Sequence, residues 1–114
     1  TRTIGANETI SIGGALAFAV TKAVTVSVGK GSTVNVNNDA ATQIGGSGTI
    51  TAGKSLSLTA GDMVQIQTGD ASITMKKDGT ITIKGKDITI DASGKVNVKA
   101  SGNITMKGSK IAAN

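Results

Sequence analysis

An eight-residue repeat dominates this sequence. Written in rows of eight from Thr1, the chain aligns with itself, and glycine holds the fifth position in eight of fourteen rows, where 16 glycines in 114 residues predict about two. Repeated glycine and the missing 3.6-residue period exclude a helix. The fourth position is apolar in the first six rows, as Ile4, Ile12, Val20, Val28, Val36 and Ile44.

Each octad predicts one short strand followed by a corner. Two apolar residues at i and i+2 share one face, and the residue between them, such as Ser27 or Asn97, is mostly polar and faces water. Gly, Asn, Asp and Lys occupy the corners, where glycine is expected to supply a positive φ without strain.

The apolar pair changes phase along the chain. It moves back by two residues near 45–55, gains one residue at Ile73/Met75, and loses it again at Ile88/Ile90. Single-residue bulges or altered corners are expected at these slips. The predicted core comprises Ile4, Ile10, Ile12, Phe18, Val20, Val26, Val28, Val34, Val36, Ile44, Leu56, Leu58, Val64, Ile66, Ile73, Met75, Ile81, Ile83, Ile88, Ile90, Val96, Val98, Ile104 and Met106.

Composition supports a β protein without catalytic chemistry. Val, Ile and Thr make up a third of the chain, and these branched side chains suit strands. His and Cys are absent, which removes imidazole acid–base chemistry, thiol nucleophiles, disulfides and the commonest zinc ligands. We therefore expect no enzyme activity, no cofactor and no metal site.

Charge is uneven along the sequence. Residues 1–75 are neutral overall, and residues 76–114 carry the whole net charge of +5. Their eight lysines recur at corners and strand ends, which favours a solvated face that opposes aggregation over binding to anionic lipid. Nucleic acid is not an expected partner, because this region has no aromatic residue on which bases stack.

The octad favours a trimer. Eight extended residues span at most about 26 Å, so a triangle made from one octad has sides of about 9 Å. Facing sheets already need about 10 Å. One octad therefore cannot enclose a core, and each layer needs either three octads of one chain or one octad from each of three chains. No stronger similarity appears at 24 residues, which favours three chains.

The rows TRTIGANE, TISIGGAL and TVSVGKGS, followed by DASGKVNVKASGNITMKG, resemble the C-terminal rod of VgrG proteins, the spike of the bacterial type VI secretion system. They are similar in turn to contractile-phage baseplate spikes. Row three, AFAVTKAV, and residues 37–48 depart from the pattern. The resemblance implies an all-β, intertwined homotrimeric triple-stranded β-helix, a triangular prism, over residues 1–114.

The same resemblance implies a non-enzymatic spike. Such a rod would be assembled in the bacterial cytoplasm, carried on a larger base domain, secreted, and driven transiently into a target membrane. The start at Thr1 is expected to reflect a fragment of a longer protein. Its C-terminal end would receive a PAAR-repeat tip protein or an effector. The expected docking residues are Ser109, Lys110, Ile111, Ala112, Ala113 and Asn114.

Four alternatives stay open on the sequence alone. A phage baseplate spike or a trimeric adhesin stalk would use the same fibrous architecture. A monomeric solenoid could present Thr-x-Thr motifs, such as 49–51 and 80–82, to ice or a polysaccharide, although Lys, Ser, Asn and Gln interrupt that face. The last six residues could also be a frayed terminus rather than a docking platform.

Overall fold

The computed structural model describes all 114 residues and contains three strands and no helix. Strands β1 (Met63–Thr68), β2 (Ala71–Lys76) and β3 (Ile81–Lys84) form one antiparallel sheet in the order β1-β2-β3. Val64 pairs with Met75 across β1 and β2, and Ile73 pairs with Ile83 across β2 and β3. The chain is therefore all-β, and pairing within one chain was not part of the sequence prediction.

A two-residue turn joins β1 to β2. Thr68 and Ala71 are paired, and Gly69 has a φ of 54° while Asp70 keeps a negative φ. A positive φ at the first central residue only is typical of a type II′ turn, which matches the twist of a hairpin. A tight two-residue turn pairs odd positions with even ones. The apolar residues of β1 are at even positions, so those of β2 must be at odd positions to lie on the same face of the sheet. The one-residue phase change at Ile73/Met75 has this effect, and without it the apolar pairs of β1 and β2 would lie on opposite faces.

A longer turn joins β2 to β3. The Gly79 N–H donates to the Lys76 carbonyl at 3.0 Å, and the Lys76 N–H donates to the Thr80 carbonyl at 3.0 Å. Gly79 has a φ of 93°, as expected where a bulge follows the turn. The Asp78 carboxylate accepts a bond from the Thr80 N–H at 2.9 Å. This turn pairs odd positions with odd ones, so Ile81/Ile83 keep the phase of Ile73/Met75.

The chain changes direction about every eight residues along its whole length. Bends or turns begin at residues 5, 13, 21, 29, 37, 45, 53, 61, 69 and 77, and then at 86, 93, 101 and 109. The bend at 21–22 forms without a corner glycine, and those at 37–38 and 45–46 keep the spacing in the irregular stretch. Outside Met63–Lys84 no segment forms a paired strand, because a strand needs a neighbour and the single chain offers none there.

The expected role of the corner glycines is wrong at most positions. Among the glycines of the fifth position, only Gly69 has a positive φ. A Cβ atom added at Gly5, Gly13, Gly29 or Gly45 would meet no other atom within 4 Å. Within one chain, neither backbone conformation nor space requires glycine at these corners.

The chain divides into two units, Thr1–Gly48 and Thr49–Asn114. The first unit contains bends and no paired strand, and the second contains the sheet. The division lies within the range 45–55, where the sequence predicts a phase change. A single prism over residues 1–114 stays a prediction.

No residue of the chain is buried. The accessible surface is 12346 Å², about twice the roughly 5,700 Å² that a compact monomer of 11.2 kDa exposes. A folded domain normally encloses a core of its own apolar side chains. This chain has none, so its apolar residues lack the cover that a stable fold requires.

Candidate assembly surface

The sheet has one apolar face. Cross-strand partners lie on the same side of a sheet, and residues two apart along a strand share that side. The register therefore collects the residues into two rows of three, with β2 in the middle. We call the six residues of these rows the sheet face: Val64, Met75 and Ile81 in one row, and Ile66, Ile73 and Ile83 in the other.

The opposite side of the sheet is mostly polar. Gln65 lies opposite Thr74, and Gln67 lies opposite Ser72. The Gln65 side chain donates to that of Gln67 at 3.3 Å. Ser72 and Thr74 are half-buried, whereas the apolar Ile73 and Met75 of the same strand are 42% and 41% exposed. The apolar side of this sheet is thus the more open one, the reverse of the usual arrangement.

Space beside the sheet face is unfilled. An open depression of about 390 Å³ is bordered by Ile66, Ile73, Ile83 and Ile88, among other residues. Ile88 belongs to the octad that follows β3. Apolar side chains from outside the chain would fill this space and remove the four isoleucines from water.

The other predicted core residues are exposed in a regular pattern. Residues at the fourth position, next to a bend, are 45–59% exposed, as in Ile4 and Ile44. Those two residues earlier lie mid-way between bends and are 69–84% exposed, from Ile10 to Val34. The adjacent bends partly cover the residues at the fourth position, whereas no part of the chain covers the residues mid-way between bends. Of the 24 predicted core residues, Val64 is half-buried and the others are exposed.

The predicted core did not include Leu16, Val24 or Ile50. All three are more than half exposed. They occupy even positions of the octad, the same parity as Phe18 and Val26, so an extended backbone places them on the same face. That parity was readable from the sequence. Met63 is also exposed, but it pairs with Lys76 on the polar side of the sheet.

The charged groups are exposed and weakly paired. Lys77 Nζ lies 3.4 Å from Asp62 Oδ1, and Arg2 pairs with Glu8. Of the eight lysines in residues 76–114, only Lys77 has a carboxylate within 4.0 Å. Such exposed pairs contribute little to stability. These charged groups therefore do not hold the chain together, and the exposed apolar side chains are the feature on which assembly can depend.

The pKa of the Asp78 carboxyl group is lowered by its neighbour Thr80. The backbone N–H of Thr80 and then its hydroxyl donate hydrogen bonds to the carboxylate, which lowers the pKa of Asp78 below its ordinary value. Both bonds favour the charged form. Asp78 lies in the turn between β2 and β3, so this interaction serves the geometry of the sheet.

The C-terminal segment 109–114 begins with a bend at Ser109, and all six of its residues are exposed. Ile111 is 56% exposed and is its only large apolar side chain. The segment forms no paired strand, so its backbone groups remain free to pair with a partner. Docking at this segment stays a prediction.

No group of three or more Asp or Glu side chains is arranged to hold a metal ion. The chain also contains no helix with the length and apolar character needed to cross a membrane.

Comparison with models of known protein families finds no match to this chain, and comparison with curated proteins finds no significant match. The eight-residue repeat and the exposed apolar side chains are therefore the features that bear on function.

Proposed function

We propose that this chain is the rod of a VgrG-like type VI secretion spike, a non-enzymatic homotrimer in which each chain covers the apolar face of the other two. One observation carries this proposal. A repeat of eight residues presents large apolar side chains at regular intervals, and none of them is buried by the chain itself.

The exposed area leaves room for a large interface between chains. Three chains packed into one compact particle would expose about 12,700 Å² in total, close to the 12346 Å² that one chain exposes alone. Each chain would then lose several thousand Å² on assembly, which is the scale of obligate oligomers. The exposed face also repeats along the chain, and a partner with the same repeat matches it along its length.

The glycine spacing supports the same conclusion. Glycine recurs at the fifth position, yet Gly5, Gly13 and Gly29 have neither a positive φ nor a close neighbour within the chain. A third reason for glycine is the close approach of another backbone. Neighbouring chains that cross at the corners of a prism would supply that approach once per octad.

The spike function follows from the mechanics of such an assembly. Strands stacked along an axis bond their backbones in that direction and resist axial load together. A trimeric prism would carry a PAAR-repeat tip protein or an effector on segment 109–114 and enter a target membrane transiently. Secretion by the type VI apparatus, after assembly in the bacterial cytoplasm, belongs to the same proposal.

The alternatives differ in how well the structure supports them. A monomeric solenoid needs a core buried within the chain, and no residue is buried. A phage baseplate spike and an adhesin stalk share the trimeric architecture, and the docking experiment below separates a tip-bearing spike from a stalk.

The first experiment is the mass of the folded chain by size exclusion with light scattering. We expect about three times 11.2 kDa, with no concentration dependence in the micromolar range. The control is Ser27→Ala, an outward position that should leave the mass unchanged. A folded particle of 11.2 kDa would refute both the trimer and the spike.

The second experiment tests the tip. Deletion of 109–114 should abolish binding of a PAAR-repeat protein in a pull-down with purified components, while the trimer mass is kept. The matched control is Lys107→Ala, which changes a lysine just outside the segment and should bind normally. Retained binding after the deletion would show that the partner docks elsewhere, and absence of binding by the parent chain would favour a stalk.

A further inference from the structure

The octad alone does not specify how three chains align along their length. Displacing one chain by eight residues brings Val28 to the place of Val20, and Val36 to the place of Val28. The bends from residue 5 to residue 37 also repeat every eight residues, so after such a shift each bend of the displaced chain lies level with a bend of its neighbours. Repetitive strands with similar side chains are prone to register slippage. At the second and fourth positions of the octad over residues 10–36, such a shift exchanges one apolar residue for another.

The sheet breaks this repetition. Its β2 and β3 residues stand one residue out of phase with the other octads, because the turn at Gly69 pairs odd positions with even ones. A shift of eight residues in one direction puts Thr89 and Asp91 where Ile81 and Ile83 belong.

The opposite shift puts Gln65 and Gln67 where Ile73 and Met75 belong. Either displacement forces polar or charged groups into an apolar contact, where they lack hydrogen-bond partners. Only chains aligned residue for residue avoid this.

The sheet also forms without a partner chain. All its backbone hydrogen bonds lie within Asp62–Lys84, and the two turns are short. Local hairpins of this kind form in microseconds. Each chain can thus present its sheet face before the octads, which have no strand partner within the chain, become ordered.

We propose that the sheet Met63–Lys84 sets the register of the trimer, by packing its sheet face against the same face of the other two copies. The depression beside Ile66, Ile73 and Ile83 would receive side chains from the neighbouring copy. This inference rests on the proposed trimer. In addition, these 22 residues would determine how the three chains align along their length, whereas the octads would supply most of the contact area between chains.

The experiment reads register through disulfides, since the chain has no cysteine of its own. One chain carries Val20→Cys, and a second, distinguished by a mass tag, carries Val36→Cys. The two are unfolded, mixed, refolded and oxidised. In aligned trimers the two positions lie two octads, or about 10 Å, apart along the axis, beyond the Cα separation that a disulfide tolerates. A displacement of two octads brings Val36 of one chain to the place of Val20 in another, so disulfides between unlike positions report trimers slipped by two octads.

The test background is Ile73→Ser with Ile83→Ser, which removes two apolar side chains from one row of the sheet face. The matched control is Ile90→Ser with Ile104→Ser, the same chemical change in ordinary octads. We expect unlike-position disulfides to rise about tenfold in the sheet variant and to stay at the parent level in the control. If the sheet variant does not assemble, Ile73→Val with Ile83→Val is scored instead, with a smaller rise expected.

The outcomes separate this inference from the proposed function. An equal rise in both backgrounds, or no rise in a sheet variant that remains trimeric, overturns the register role and leaves the trimer standing. A parent chain that proves monomeric by light scattering overturns the proposed function itself.

Discussion

Val26 provides the most direct test of the missing core. Its side chain is 80% exposed in the single chain and lies mid-way between two bends. Val26→Ala removes two methyl groups, worth about 1.6 kcal/mol when fully withdrawn from water. Scaled by the exposed fraction, the loss on assembly is about 1.3 kcal/mol per chain and about 4 kcal/mol per trimer. This corresponds to a roughly thousandfold increase in the trimer dissociation constant.

The assay is sedimentation equilibrium over a range of chain concentrations, with Ser27→Ala as the neighbouring control. Ser27 occupies the outward position of the same octad, and a surface substitution changes stability by less than about 0.5 kcal/mol per chain, so Ser27→Ala should alter the dissociation constant of the trimer by no more than about tenfold. If Val26→Ala and Ser27→Ala behave alike, Val26 is as exposed in solution as in the single chain, and the argument for a covering partner fails.

Two further predictions concern the turns of the sheet. Gly69→Ala places a side chain at a φ of 54° and should destabilise the protein by about 1–2 kcal/mol. Gly31→Ala is the control, because Gly31 has a negative φ and open space around it, and it should leave the stability unchanged. Urea unfolding of both variants measures the difference. Because the pKa of Asp78 is lowered, its contribution to stability is fully present above its ordinary pKa and is lost as the pH falls through the lowered value. Asp78→Asn should remove that pH dependence below about pH 4, and an unchanged acid limb in the unfolding midpoint would contradict the Thr80 contact.

The β class and the eight-residue spacing were readable from the sequence, and the trimer that the spacing favours stays a prediction. Glycine and branched residues exclude helices through local backbone preferences, which do not depend on context. The corners at 21–22 and 37–38 show the same independence, since they keep the spacing without a glycine at the fifth position. The parity of Leu16 and Val24 was equally readable, and it extends the apolar face beyond the residues first assigned to it.

Only the tertiary structure decided what the phase change at Ile73/Met75 means. From the sequence, a one-residue slip is compatible with a bulge, an altered corner or an inverted face. The structure shows a two-residue turn at Gly69 that folds the chain back on itself, so the slip keeps the apolar residues of β1 and β2 on one side. Pairing between strands depends on contacts distant in sequence, which local preferences do not specify. The same limit applies to the corner glycines: their spacing is visible in the sequence, but only the backbone angles show that most of them are not there to supply a positive φ.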